Sequence, residues 1–93
     1  MAKKEVIRRR IVFTGRVQGV GFRWRARQAA ILYGCTGWCR NEWDGSVTME
    51  IQGVEAAIGK VLQYLETSRY IWIEKTDVTP LYPEPGERGF ETD

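Results

Sequence analysis

The stretch Gly15-Arg16-Val17-Gln18-Gly19-Val20-Gly21-Phe22-Arg23 holds the densest chemistry in the chain. Its three glycines allow positive φ and close backbone approach, so successive N–H groups can converge as an anion nest. The apolar spacing that begins at Phe22 starts a helix there, and its free N–H groups and positive dipole end aim at the same spot. Arg23 falls in the first turn of that helix, where a planar guanidinium can grip two phosphate oxygens. The backbone of Arg16, Val17, Gln18, Gly19, Val20 and Gly21, with Arg23, is therefore a candidate phosphate cradle. Composition alone leaves a plain glycine-rich connection with a solvated arginine equally open.

Other phosphate motifs do not fit. There is no Gly-Lys-Ser/Thr ending, so nothing would hold the Mg²⁺ of a nucleotide P-loop. The Gly-x-Gly-x-x-Gly fingerprint of dinucleotide binding is absent. Gly19-Val20-Gly21-Phe22 is faintly like an aromatic RNA-recognition signature, but that signature sits on a strand after the first helix, and this one precedes it.

A second informative segment is Gly37-Trp38-Cys39-Arg40-Asn41-Glu42-Trp43-Asp44-Gly45-Ser46-Val47. Asn41 falls where a strand runs out into a turn, either as a turn-capping amide or as an amide aimed at a site. Asp44 is structural, because Asp-Gly is what a tight hairpin wants. Trp43 is odd for a loop, and either walls the mouth of a site or packs against the sheet edge.

The elements that must position these residues follow from periodicity. Residues 6–14, with Ile7, Ile11 and Phe13 on one side, read as a first strand. Phe22, Ala26, Ala29, Ala30 and Tyr33 mark one face of a helix, and Gly34 ends it. Residues 36–42 read as a second strand. Val47, Met49 and Ile51 alternate along a third, ending at Gly53. Val54, Ile58, Val61, Leu62 and Leu65 mark a second helix. A fourth strand lies within 70–79 and a short last one within 88–92, separated by a loop holding Pro80, Pro83, Pro85 and Gly86. The order β-α-β-β-α-β predicts an α+β ferredoxin-like sandwich in which two helices cover one face of an antiparallel sheet. That fold hosts many functions, so function must come from the site.

Length and composition bound the rest. The 93 residues suit a single domain, with 43% hydrophobic and 28% charged residues as in ordinary globular proteins. No apolar run approaches the ~20 residues of a membrane span, and the basic N-terminus lacks the apolar core of a secretory signal. A cytoplasmic protein is expected. Residues 1–40 hold ten of the fourteen Lys and Arg against Glu5 alone, whereas the remainder is strongly acidic. Most of these charges are expected to pair across faces, leaving some of the basic half to meet an anion. Histidine is absent, so a zinc site on Cys35 and Cys39 would need carboxylates. If the two cysteines share a strand their Cα atoms lie about 13 Å apart at ~3.3 Å per residue, too far for a disulfide. Both are expected to be reduced and structural, and no metal or other cofactor is expected.

Together the two segments resemble the acylphosphatase family. The chain matches its G-x-V-Q-G-V-x-F-R loop from Gly15 to Arg23 and its G-W-x-x-N-x-x-D-G-x-V segment from Gly37 to Val47, with good agreement over residues 7–65. The resemblance implies that Arg23 and the backbone of residues 16–21 bind phosphate, that Asn41 orients the nucleophilic water, and that the last strand sits at a sheet edge. It also implies hydrolysis of small-molecule acyl phosphates by a monomer, with no nucleic acid or membrane partner.

The residue types agree with that chemistry. The leaving group of an acyl phosphate is a carboxylate with a pKa near ~4, so it departs unprotonated at neutral pH. The transition state is loose, so little proton removal from the attacking water is required. What remains is positioning and charge stabilisation, which arginine and backbone amides supply. Two alternatives stay open: a non-catalytic module that captures acyl or carbamoyl phosphate, as in hydrogenase-maturation carbamoyltransferases, and an RNA-binding domain using the basic half.

Overall fold

The computed structural model describes residues 5–93, so Lys3 and Lys4 lie outside the described residues. The elements run β1 (Val6–Arg16), α1 (Phe22–Tyr33), β2 (Thr36–Asn41), β3 (Val47–Val54), α2 (Glu55–Glu66), β4 (Trp72–Leu81) and β5 (Phe90–Thr92). This is the expected order, including the short last strand, which spans only Phe90–Thr92. The sheet is ordered β4-β1-β3-β2-β5. Its four longer strands pair antiparallel, but β5 lies parallel to β2, so the sheet is mixed and not wholly antiparallel. The chain path explains this. Residues 82–89 reverse the chain after β4 and carry it to the far edge, where it runs alongside β2 in the same direction.

The core lies between the sheet and the two helices. Ile11, Phe13, Cys39, Val47, Met49 and Ile51 from the strands meet Phe22, Ala26, Ala29 and Ala30 of α1 and Ile58, Val61 and Leu65 of α2. Phe22, the first residue of α1, packs its ring against Phe13 with centroids 4.9 Å apart. That contact pins the start of the helix to β1 across the intervening loop. Val54, expected in the second helix, instead ends β3 in extended conformation as the N-cap of α2.

Two boundaries differ from expectation. β1 runs to Arg16 because it continues past an irregularity between Thr14 and Gly15 to pair with the start of β4. A side chain at Gly15 would collide with the Trp72 carbonyl oxygen and the Glu74 backbone nitrogen, so only glycine permits this close approach. Pro80, expected in a loop, belongs to β4 opposite Arg9. β4 is an edge strand, where proline's missing N–H costs no ladder bond if it faces solvent.

The open face of the sheet carries the charge pairing expected for the basic half. Arg8 is only 2% exposed, and its guanidinium meets Glu50 at 3.0 Å and Glu87 at 2.8 Å. Arg10 closes on the other Glu50 oxygen at 2.7 Å. Thr36 donates to Glu87 as well, which straps residues 82–89 to the sheet on their way to β5. Burial pushes the Glu50 carboxyl up, but the Arg10 and Arg8 guanidiniums outweigh it and hold Glu50 below the usual carboxylate range. A carboxyl depressed in the folded state stabilises fully above its unfolded pKa and loses that stabilisation as pH falls through the folded value. Glu50→Gln is therefore expected to cost about 2–3 kcal/mol near pH 7, since it leaves a buried arginine short of a partner. The deficit should shrink as pH drops below ~4. Urea unfolding of both proteins at pH 7 and pH 3 checks this, and an equal deficit at both values would mean the pair contributes through shape alone.

Candidate functional site

The loop after β1 and the first turn of α1 form one wall of a cavity of about 460 Å³, lined by Val17, Gly19, Gly21, Phe22, Arg23, Trp24, Arg27, Asn41 and Thr92. Gly21 is the N-cap of α1 in left-handed conformation, with φ 79°. An L side chain there would be strained, and no side-chain oxygen caps the helix. Among the described residues, no acceptor within the chain takes the backbone N–H groups of Gln18 through Trp24. The first intrahelical bond is Arg25 N–H to the Gly21 carbonyl at 3.0 Å. A helix end with free N–H groups and no acidic residue in its first turn attracts an anion.

The loop is held in place by Gln18. Its side-chain amide donates to the Glu42 carbonyl at 2.7 Å and the Ser46 carbonyl at 2.9 Å. This fastens the loop to the turn between β2 and β3, and so to the end of the strand that carries Asn41. The turn itself is closed by Asp44, whose Oδ1 accepts from the Ser46 hydroxyl at 2.6 Å and the Ser46 N–H at 2.9 Å. Those bonds hold the Asp44 carboxyl below its ordinary pKa. Asp44 thus takes the turn-capping role, and the half-buried Asn41 amide makes no hydrogen bond among the described residues and lines the cavity.

Arg23 sits over the same strand. Cys39, two residues before Asn41 on the same face of β2, has its thiol pushed up to about 12 by burial, with the Arg23 charge pulling the other way. Arg23 is therefore close enough to Cys39 to act on it electrostatically. Both cysteines are free and buried, and burial pushes Cys35 up to about 11. They are inert packing groups, as expected from their spacing.

The sequence-derived site residues divide clearly. Arg23, Asn41, Val17, Gly19 and Gly21 come together around the cavity. Arg16 and Gln18 do not line this cavity and instead line a separate hollow with Gly15, Val17, Gly45, Trp72 and Glu74. Val20 packs against the core. Residues 16, 18 and 20 can therefore offer the cavity backbone groups only. Trp43 is 99% exposed, so it neither walls the cavity nor packs on the sheet edge. Among the described residues, no group of three His, Cys, Asp or Glu could hold a metal ion.

Sequence reasoning missed Trp24, Arg27 and Thr92. Arg27 was findable, since four residues after Arg23 it lies one turn further along the same side of α1. Its Nε donates to the Phe90 carbonyl at 3.2 Å, tying α1 to β5. Thr92 gave no local signal. It reaches the cavity through the parallel pairing of Gly37, Trp38 and Cys39 with Phe90, Glu91 and Thr92.

Comparison with known proteins gives a consistent result. The acylphosphatase family model matches residues 9–92. An acylphosphatase from Nostoc sp. is 38% identical over 90 residues, spanning 96% of this chain and 88% of that protein. One from Rhizobium etli is 51% identical over 56 residues, which is 60% of each chain. Among solved structures, acylphosphatase from Bacillus subtilis superposes with a TM-score of 0.85 at 30% identity, covering 94% of this chain and 98% of that one. With both helices, all of the sheet but the first residues of β1, and both motif segments inside the matched span, the chain belongs to the acylphosphatase family.

Proposed function

We propose that this chain hydrolyses the carboxyl–phosphate bond of acyl phosphates in the cavity between the start of α1 and the end of β2. The observation that carries this reading is the run of N–H groups from Gln18 to Trp24 that no acceptor among the described residues takes. Arg23 and the half-buried Asn41 amide share that cavity, and no carboxylate lines it. The phosphoryl oxygens sit on the amides and on the Arg23 guanidinium. The Asn41 amide, with both donor and acceptor atoms uncommitted, holds a water in line with the leaving oxygen.

In the reaction the water oxygen forms a bond to phosphorus while the bond from phosphorus to the carboxyl oxygen breaks. The electron pair leaves with the carboxylate, which needs no proton at neutral pH. The proton shed by the water passes to the phosphate product or to solvent. Arginine and amides stabilise the spreading phosphoryl charge throughout, which suits a loose transition state. The free cysteines suit a reducing, cytoplasmic setting. No helix among the described residues is long and apolar enough to cross a membrane.

The test is hydrolysis of benzoyl phosphate by the purified chain with and without EDTA. Turnover is expected to be the same in both, because the donor set offers no metal site and the chemistry asks for none. Loss of activity on chelation, restored by Mg²⁺ or Zn²⁺, would overturn the mechanism.

A further inference from the structure

α1 carries three arginines near the cavity, and they are engaged differently. Arg25 is turned to α2, where it donates to the Tyr64 carbonyl at 2.9 Å and the Thr67 hydroxyl at 2.9 Å and lies 3.9 Å from the Tyr64 ring centroid. Arg23 and Arg27 both line the cavity, and among the described residues neither has a carboxylate partner. One cation and the amide run suffice for a phosphoryl group. The second cation is left over. It lies four residues further along α1, about 6 Å from the first at 1.5 Å per residue. It is also tethered through Nε to β5, away from the loop that presents the amides. Among the described residues its terminal nitrogens make no hydrogen bond, so the tether fixes the guanidinium while leaving those donors open. Trp24, 66% exposed, lines the same cavity and offers an apolar surface to a short carbon chain.

Building on the acyl phosphatase reading above, we propose that Arg27 reads the acyl group and selects acyl phosphates whose acyl chain ends in its own carboxylate. The phosphoryl group occupies the loop and Arg23, the acyl chain runs along α1 past Trp24, and the distal carboxylate meets the open donors of Arg27. Thr92, on β5 beside the Arg27 tether, supplies a hydroxyl to the same end of the cavity. Arg27 is thus a specificity residue, separate from the phosphate-binding group.

The experiment compares kcat/KM for succinyl phosphate and butyryl phosphate, which have chains of similar length with and without a terminal charge. Wild type is expected to favour succinyl phosphate about fivefold, as suits one partly solvated charge-assisted contact. Arg27→Gln should lower kcat/KM for succinyl phosphate about fivefold more than for butyryl phosphate, and Arg27→Lys should recover part of the preference. A purely structural tether to Phe90 would instead lower both substrates equally in Arg27→Gln, with no recovery in Arg27→Lys, and that result would overturn the proposal. So would weakening of inorganic phosphate inhibition in Arg27→Gln to the extent seen in Arg23→Ala, since Arg27 would then be a phosphate ligand. Failure of the wild type to hydrolyse either compound would instead contradict the underlying activity.

Discussion

Arg23→Ala is expected to lower kcat/KM for benzoyl phosphate by about 10³-fold or more, raising KM and lowering kcat together. A guanidinium bound to phosphoryl oxygens acts on substrate and transition state alike, so both parameters move. It grows more valuable as charge spreads over the equatorial oxygens, and removal of one aligned donor commonly costs 10²–10³ in kcat. Among the described residues lining the cavity, Arg23 and Arg27, one turn further on, are the charged ones. The companion variant separates the roles. Asn41→Ala should lower kcat by about 10²-fold with little change in KM, because the amide holds water and not substrate. Steady-state kinetics with inorganic phosphate as inhibitor reads both effects. Phosphate should bind Arg23→Ala far more weakly and Asn41→Ala nearly as tightly as wild type. Equal phosphate affinity in Arg23→Ala would place the anion elsewhere, and near-normal kcat in Asn41→Ala would make that residue a spectator. Neither change should unfold the chain, since among the described residues neither side chain makes a hydrogen bond or ion pair.

The fold was legible where periodicity was strong and local. Ala26, Ala29 and Ala30 spell one face of α1, and Val47, Met49 and Ile51 spell one face of β3, because burial on one side imposes the period on each. β4 was harder to bound, because nearly all of it is exposed and its composition follows solvent, not a core. The parallel placement of β5 left no trace in three residues, since it is set by Arg8 and Thr36 gripping Glu87 some eighty and fifty positions away. The same division holds at the site. Arg23 and Asn41 stood out because glycine-rich and Asp-Gly segments announce their backbone geometry. Gln18 read only as a backbone amide of the phosphate cradle, although its side chain is the clamp that holds the two segments together. Thr92 was invisible for the same reason as β5.

Selectivity for the leaving group should be the largest effect of all. No residue lining the cavity is a carboxyl, thiol or imidazole, so no group there can protonate a departing oxygen. Cys39 feels the Arg23 charge, but burial pushes its thiol up to about 12, which removes it as an acid near neutrality. Asp44 is occupied by Ser46 and sits below its ordinary pKa, so it is ionised and cannot donate. The rate must then depend steeply on how well the leaving group bears negative charge unaided. A carboxylate, with a conjugate acid near ~4, leaves readily, whereas a nitrophenolate, the anion of a weaker acid, leaves more slowly and an alkoxide far worse.

The decisive measurement is kcat/KM for benzoyl phosphate, p-nitrophenyl phosphate and glycerol phosphate from pH 4 to 9. Benzoyl phosphate should be cleaved at least ~10³-fold faster than p-nitrophenyl phosphate, a gap of about 4 kcal/mol in barrier, with glycerol phosphate not measurably cleaved. The benzoyl phosphate profile should be broad, falling only at about pH 5–6 where a phosphate monoanion forms. Comparable rates on all three substrates, or a narrow bell centred near neutrality, would reveal a working general acid and contradict catalysis by Arg23, Asn41 and backbone amides alone.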